Sequence, residues 1–196
     1  MLGANELMNS RLGGSEAALA ALACEKIAGR PRPRLLIGGL GMGFTLRAAL
    51  TALGPDARIV VAELVPAVVA WARGPMAILF GASLADTRVE IVEADVAGLI
   101  HGAASAWDAI LLDVDNGPDG LSLPGNDRLY SEFGLREAGA ALRPGGVLAI
   151  WSAAEDPAFT RRLRGAGFAA EEHTVRAAGG RRGARHMIWV ATRAVN

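Results

Sequence analysis

The chain has 196 residues, 52% of them hydrophobic, and its 20 basic and 20 acidic side chains cancel to a net charge of zero. That length buries a full core in one domain, and the neutral balance gives no electrostatic reason to favour nucleic acid or an anionic membrane. The single cysteine, Cys24, excludes an internal disulfide. No apolar run reaches bilayer length, and "MLGANELMNSRLGG" lacks a signal-peptide core, so a cytoplasmic protein is expected.

In chain order, "SEAALAALACEKIAG" (15–29) reads as a helix with Ser15 as cap, Glu16 at its positive end, and Gly29 and Pro31 as the stop. Its apolar stripe over 17–27 suits the core or a homodimer face. "RLLIGG" (34–39) is a buried strand, "FTLRAALTALG" (44–54) a helix, "ARIVVAEL" (57–64) a second buried strand. Pro66 opens the helix "PAVVAWARGPM", where a missing N–H costs nothing. "RVEIVEAD" (88–95) and "WDAILLDV" (107–114) are strands, "SEFGLREAGAAL" (131–142) is a helix, "RPGG" (143–146) a turn and "VLAIWSA" (147–153) a strand. Asp156 caps the helix "DPAFTRRLRGAGF", with Pro157 in its first turn. The last segment, 171–193, reads as two strands around a Gly-rich loop. Its arginines, Arg176, Arg181, Arg182 and Arg185, have no aromatics between them, so a solvated hairpin fits them better than an RNA-binding patch.

Strands alternating with helices predict an α/β fold: a Rossmann-like, doubly wound, mostly parallel sheet ending in an antiparallel strand pair. Ligands in such sheets lie at the carboxyl ends of the strands. There the first strand runs into Gly39-x-Gly41-x-Gly43, a spacing different from the dinucleotide fingerprint. The loop is read either as a tight strand-to-helix turn or as a place where a ligand approaches the backbone. The next three strands end in Glu63, Asp95 and Asp113. Each acid taken singly is a cap or a solvated loop residue. In this order they suit a nucleoside: Glu63 for the ribose hydroxyls, Asp95 for the adenine amine. Three carboxylates repel a pyrophosphate and favour a nucleoside with a positive centre.

"LLIGGLGMG", "VVAELVPAVVAWAR", "VEIVEADV", "DAILLDVDNGP" and "LRPGGVLAIW" together resemble the motif series of class I S-adenosylmethionine-dependent transferases, and within them the spermidine synthase (polyamine aminopropyltransferase) branch. The resemblance covers about residues 35–151. It implies a transferase whose donor is S-adenosylmethionine or decarboxylated S-adenosylmethionine, held by Gly39, Gly41, Gly43, Glu63 and Asp95. It implies Asp113 as the acid that deprotonates and orients an attacking amine. Asp115 or Asn116 stands where the family has a second acid gripping the polyamine, so Asp115 is a second catalytic candidate and Asn116 a substrate-binding one. Tyr130 falls at a family tyrosine, and Trp151 ends a strand where an acceptor pocket is expected.

Two departures matter. The family's Gly loop carries an Asp for the propylamine end of the donor, and Gly41 stands there instead. Losing such a charge-assisted bond costs on the order of 1.5–3 kcal/mol and favours a donor that keeps its carboxylate, hence methyl transfer. The family also has a small β-domain before this fold. Residues 1–34 resemble its tail, with Glu16 near a family His-Glu pair, and the expected division is 1–34 as a remnant and 35–196 as the catalytic domain.

Other chemistries find little support. Counted from Asp113, a calcium loop needs Gly at position 6 and an acid at 12, but Pro118 and Pro124 stand there. His101, His173 and His186 lack ligand spacing, so no metal is expected. There is no G-x-S-x-G elbow, and Cys24 has no neighbouring His. Trp71 and Trp107 are expected to be partly buried packing residues. Three functions remain: aminopropyl-type transfer to a small-molecule amine, methyl transfer, or donor binding without turnover.

Overall fold

The strands β1 (Arg34–Gly38), β2 (Arg58–Glu63), β3 (Val89–Glu93), β4 (Trp107–Leu112), β5 (Leu142–Ser152), β6 (Phe168–Arg176) and β7 (Arg185–Arg193) form one sheet in the order β3-β2-β1-β4-β5-β7-β6. This is a computed structural model, and it describes residues 13–114, 117–118, 127–178 and 183–194. Pairing is parallel from β3 across to β5. β7 runs antiparallel to both β5 and β6. The expected doubly wound sheet with an antiparallel terminal pair is therefore the fold observed.

The apolar runs identify the central strands. β4 is buried at all six positions, and β1 at every position after Arg34. A strand buried on both sides needs no polar alternation, so such runs belong in the middle of a covered sheet. One face carries Leu35, Ile37, Ile59, Val61, Ala109 and Leu111. It packs on α1 (Gly14–Lys26), α2 (Phe44–Ala52) and α3 (Pro66–Arg73). The other carries Leu36, Ile110, Leu112, Leu148 and Ile150. It packs on α5 (Val96–Ile100), α6 (Asp127–Tyr130), α7 (Glu132–Ala141) and α8 (Pro157–Gly165). A short α4 (Ala77–Phe80), which no sequence pattern predicts, follows α3. In α1, Leu19, Ala20, Ala23 and Cys24 are all in the core, which places this part of the stripe inside the domain rather than on a dimer face.

Local signals hold at several ends. Asp156 caps α8, accepting from the N–H groups of Ala158 (2.8 Å) and Phe159 (3.0 Å), with Pro157 behind it. Arg88 closes the carboxyl end of α2 by donating to the carbonyls of Leu53 (2.8 Å) and Leu50 (3.1 Å). Two expectations are corrected. Gly13, not Ser15, is the N-cap of α1; the Ser15 side chain is fully buried and hydrogen-bonds elsewhere. The "RPGG" turn lies within β5. Its four residues loop out between the pairs Trp107↔Leu142 and Ala109↔Val147 and the strand then resumes, with Gly145 at φ +67°.

That bulge lets Arg143 reach Asp108. The Asp108 carboxylate, 3% exposed, accepts from Arg30 Nη1, Arg143 Nη1 and the Arg34 backbone N–H, each at 2.8 Å. It clamps β1, β4 and β5 at the end of the sheet opposite the strand carboxyl ends. Replacing Asp108 by Ala leaves two guanidinium groups and a backbone N–H without their acceptor. Urea unfolding is expected to show a loss of about 2 kcal/mol or more, and a change within error would remove the clamp from the account of stability.

Candidate functional site

The carboxyl ends of β1, β2 and β4 are locked together by backbone bonds. Gly39 N–H donates to the carbonyl of Ala62 (2.8 Å), and Asp113 N–H to that of Gly38 (3.0 Å). The three loop glycines differ in what they permit. Gly39 has φ +92°, and a Cβ there would lie 2.4 Å from the carbonyl oxygen of Asp113. Gly43 has φ +71°, and its Cβ would enter the Phe80 ring at 2.5 Å. Packing therefore accounts for both. Gly41 has φ +46° with nothing within 4 Å of a Cβ, so it is the loop glycine beside open space.

Glu63, 8% exposed, holds this loop against the end of β2. Its Oε2 accepts from Leu40 N–H and its Oε1 from Val65 N–H, both at 2.9 Å. Each oxygen retains accepting capacity for a further donor such as a hydroxyl. Asp95 is exposed and caps α5, accepting from Ala97 N–H at 2.9 Å. It also edges a groove of about 430 Å³ that runs past Gly98, His101, Leu129 and Glu137.

Asp113 is partly accessible and accepts from the Thr45 hydroxyl at 2.6 Å. Burial pushes its carboxyl up to about 7; the Thr45 hydrogen bond acts against this and the Glu16 carboxylate with it. Such a group exchanges a proton near neutrality, which an ordinary aspartate does not. Behind it, Ser15 Oγ donates to Glu16 Oε2 (2.6 Å) and pairs with His186 Nδ1 (2.9 Å). Because the single Ser15 proton goes to Glu16, the network assigns the second proton to His186 Nδ1. Burial lowers the pKa of His186, with Glu16 opposing. The Trp151 ring meets His186 edge-on at 4.7 Å, and its buried Nε1 has no hydrogen-bond partner among the described residues.

Tyr130 is 1% exposed, set edge-on against Phe159 and donating to the Val114 carbonyl at 3.3 Å, so it lies beneath the segment that follows β4. Asp115 and Asn116 lie outside the described residues. Trp107 is buried as expected, whereas Trp71 is 48% exposed, on the solvent side of α3. Among the described residues no three of His, Cys, Asp and Glu converge as metal ligands. The buried Cys24 thiol is pushed up to about 11, which suits a packing role. Sequence reasoning missed Thr45, Ser15 and the placement of His186. Their bonds span 68 and 171 positions, and no local pattern announces them.

No protein-family model matches the chain. A polyamine aminopropyltransferase of Mycobacterium tuberculosis is 33% identical over 153 residues, covering 74% of this chain; the chain spans 28% of that relative's length. A crystal structure of spermidine synthase in complex with the transition state analogue AdoDATO superposes with a TM-score of 0.74 at 21% identity, covering 94% of this chain and 62% of that one. A 1,6-didemethyltoxoflavin-N1-methyltransferase from Burkholderia thailandensis, with S-adenosylhomocysteine bound, superposes with a TM-score of 0.61 at 22% identity, covering 92% of this chain and 79% of that one. The resemblance to the spermidine synthase branch is borne out in sequence by the first, and the other two share the chain's fold.

The loop glycines give a paired test. Gly39→Ala meets both a positive φ and a backbone oxygen and is expected to cost about 3 kcal/mol or more in thermal unfolding. Gly41→Ala meets only the φ penalty, about 1 kcal/mol. Equal losses would mean that Gly39 is not held by its contact with Asp113.

Proposed function

We propose that the chain is a spermidine-synthase-like transferase that binds a sulfonium nucleoside, S-adenosylmethionine or its decarboxylated form, and transfers an alkyl group from it to a small-molecule amine. The reading is carried by one observation: the open Gly41 loop, Glu63 and Asp113 sit on adjacent strand ends that are hydrogen-bonded to one another. Gly39, Gly41 and Gly43 would receive the donor's tail. Glu63, buried and with accepting capacity left on both oxygens, would take the ribose hydroxyls, and Asp95 the adenine amine.

When bound, the sulfonium supplies an electrophilic carbon and a neutral leaving group. The chain's own task is then to align a neutral amine with that carbon. An ammonium acceptor gives up a proton first: its N–H bond breaks and an O–H bond forms on Asp113. The freed lone pair makes the new N–C bond as the C–S electrons leave with sulfur. Trp151, near the end of β5, would lie on the acceptor side. Asp115, Asn116 and Tyr130 keep the supporting roles that the resemblance implies.

A second reading, methyl transfer from intact S-adenosylmethionine, is favoured at Gly41. No described atom approaches the place of its missing side chain, so among the described residues no carboxylate stands there to receive a propylammonium. Calorimetry of both donors separates the readings. Tighter binding of the decarboxylated donor supports aminopropyl transfer, tighter binding of the intact donor supports methyl transfer, and binding of neither removes both. Gly41→Asp has room, and Asp tolerates a left-handed backbone. It is expected to move the preference toward the decarboxylated donor by roughly 10-fold or more.

Asp113→Asn is expected to bind donor as wild type and to lower turnover by about 10²-fold or more. In the unsubstituted protein, turnover is expected to rise with pH through about 7, as Asp113 passes to its ionised, proton-accepting form. A flat profile, or full turnover in the variant, would take the base role from Asp113.

A further inference from the structure

Resting on the reading of Asp113 as the base, we propose that Thr45 is a positioning residue that keeps Asp113 hydrogen-bonded in both of its protonation states, and that Glu16, pinned by Ser15 and His186, is the charge that faces it. Thr45 lies in the first turn of α2 and is 3% exposed. Its hydroxyl has one proton and two acceptors in reach, Asp113 Oδ2 at 2.6 Å and the Glu16 backbone carbonyl at 3.4 Å. One proton serves one acceptor at a time, and the short contact is the one made.

The two contacts match the two states of the base. While Asp113 is ionised, the Thr45 proton points at Oδ2. When Asp113 takes a proton from an ammonium, its new O–H turns to Thr45 Oγ1, and the Thr45 proton swings to the Glu16 carbonyl. The Thr45–Asp113 pair keeps its hydrogen bond in either state, so proton uptake and release need only a hydroxyl rotation. The step consumes no further reactant: the proton lost by nitrogen is the proton gained by oxygen.

The charged surroundings are few. Among the described residues Glu16, from α1, is the charge acting on Asp113. From β7, His186 is linked to the Glu16 carboxylate by hydrogen bonds through Ser15. On α2, Arg47 is turned away onto the carbonyls of Met42 (2.9 Å) and Leu79 (2.7 Å). From β1 only backbone, at Gly38 and Gly39, meets Asp113. Asp115, two positions on, lies outside the described residues. Ser15 holds one Glu16 oxygen, and His186 holds Ser15, so the position of the charge is set by β7 rather than by α1 alone.

The test follows the carboxyl carbon of Asp113 by NMR through a pH titration of the full chain without donor or acceptor. The result is then independent of whether the chain turns over. Wild type is expected to titrate near 7. Thr45→Val, which keeps shape and loses the hydroxyl, is expected to titrate higher by on the order of one pH unit. Thr45→Ser is expected to restore the wild-type midpoint. Glu16→Gln removes the facing charge and is expected to titrate lower. A common shift for Val and Ser would make Thr45 a packing residue, and an unmoved midpoint in Glu16→Gln would sever Glu16 from the base. Either result overturns the proposal. So does a wild-type midpoint in the ordinary aspartate range. Should Thr45→Val fail to fold, the Ser and Gln variants decide. If the midpoints move as expected while neither donor binds, the reading of the function fails and the tuning of Asp113 stands.

Discussion

Between Gly39 and the carbonyl of Asp113 there is no room for even one carbon atom. At that contact the end of β1 passes the end of β4, and the candidate site follows from it. With the two backbones this close, Asp113 N–H can bond the Gly38 carbonyl and Gly39 N–H can bond Ala62. The loop after Gly39 then turns with Leu40 N–H pointing at Glu63. Three strand ends become one rigid edge, and residues far apart in the chain stand side by side on it. Any side chain at Gly39 would push the glycine loop away from Asp113 and from Glu63 together.

The two ends of the sheet treat their acids differently. At the amino end, Asp108 is matched by two guanidinium groups and a backbone N–H, and its charge is spent within the fold. At the carboxyl end, Glu63 and Asp95 are held by backbone N–H groups, and Asp113 and Glu16 by hydroxyls. Uncharged donors fix a carboxylate without cancelling it. In a chain of zero net charge, this gathers acidic side chains at the carboxyl end of the sheet.

The same arrangement explains why Asp113 is the acid with a raised proton affinity. Burial disfavours its charge, the Thr45 hydroxyl is the side-chain donor it takes among the described residues, and the Glu16 carboxylate raises its proton affinity further. Glu63 is also buried but takes two backbone N–H groups, one on each oxygen. The two carboxylates thus differ in the donors that folding brings to them.

Much of this is legible in one dimension. Strands such as "ILL" and "IVV" must be covered on both faces, which dictates alternating helices. A ligand edge at the strand ends follows, and with it the candidates Gly41, Glu63, Asp95 and Asp113. Caps such as Asp156 are read from neighbours two and three residues away. What tertiary structure alone decided is whatever depends on who sits opposite. It set Gly39 and Gly43 as packing glycines and Gly41 as the open one. It turned the "RPGG" segment into a bulge that carries Arg143 to Asp108, and it buried Tyr130. It moved Ser15 from a cap into a link between Glu16 and His186, and placed Thr45 on Asp113. Periodicity and capping are properties of a few consecutive residues, so the sequence declares them. The donors that hold each buried carboxylate come from across the fold, and only folding supplies them.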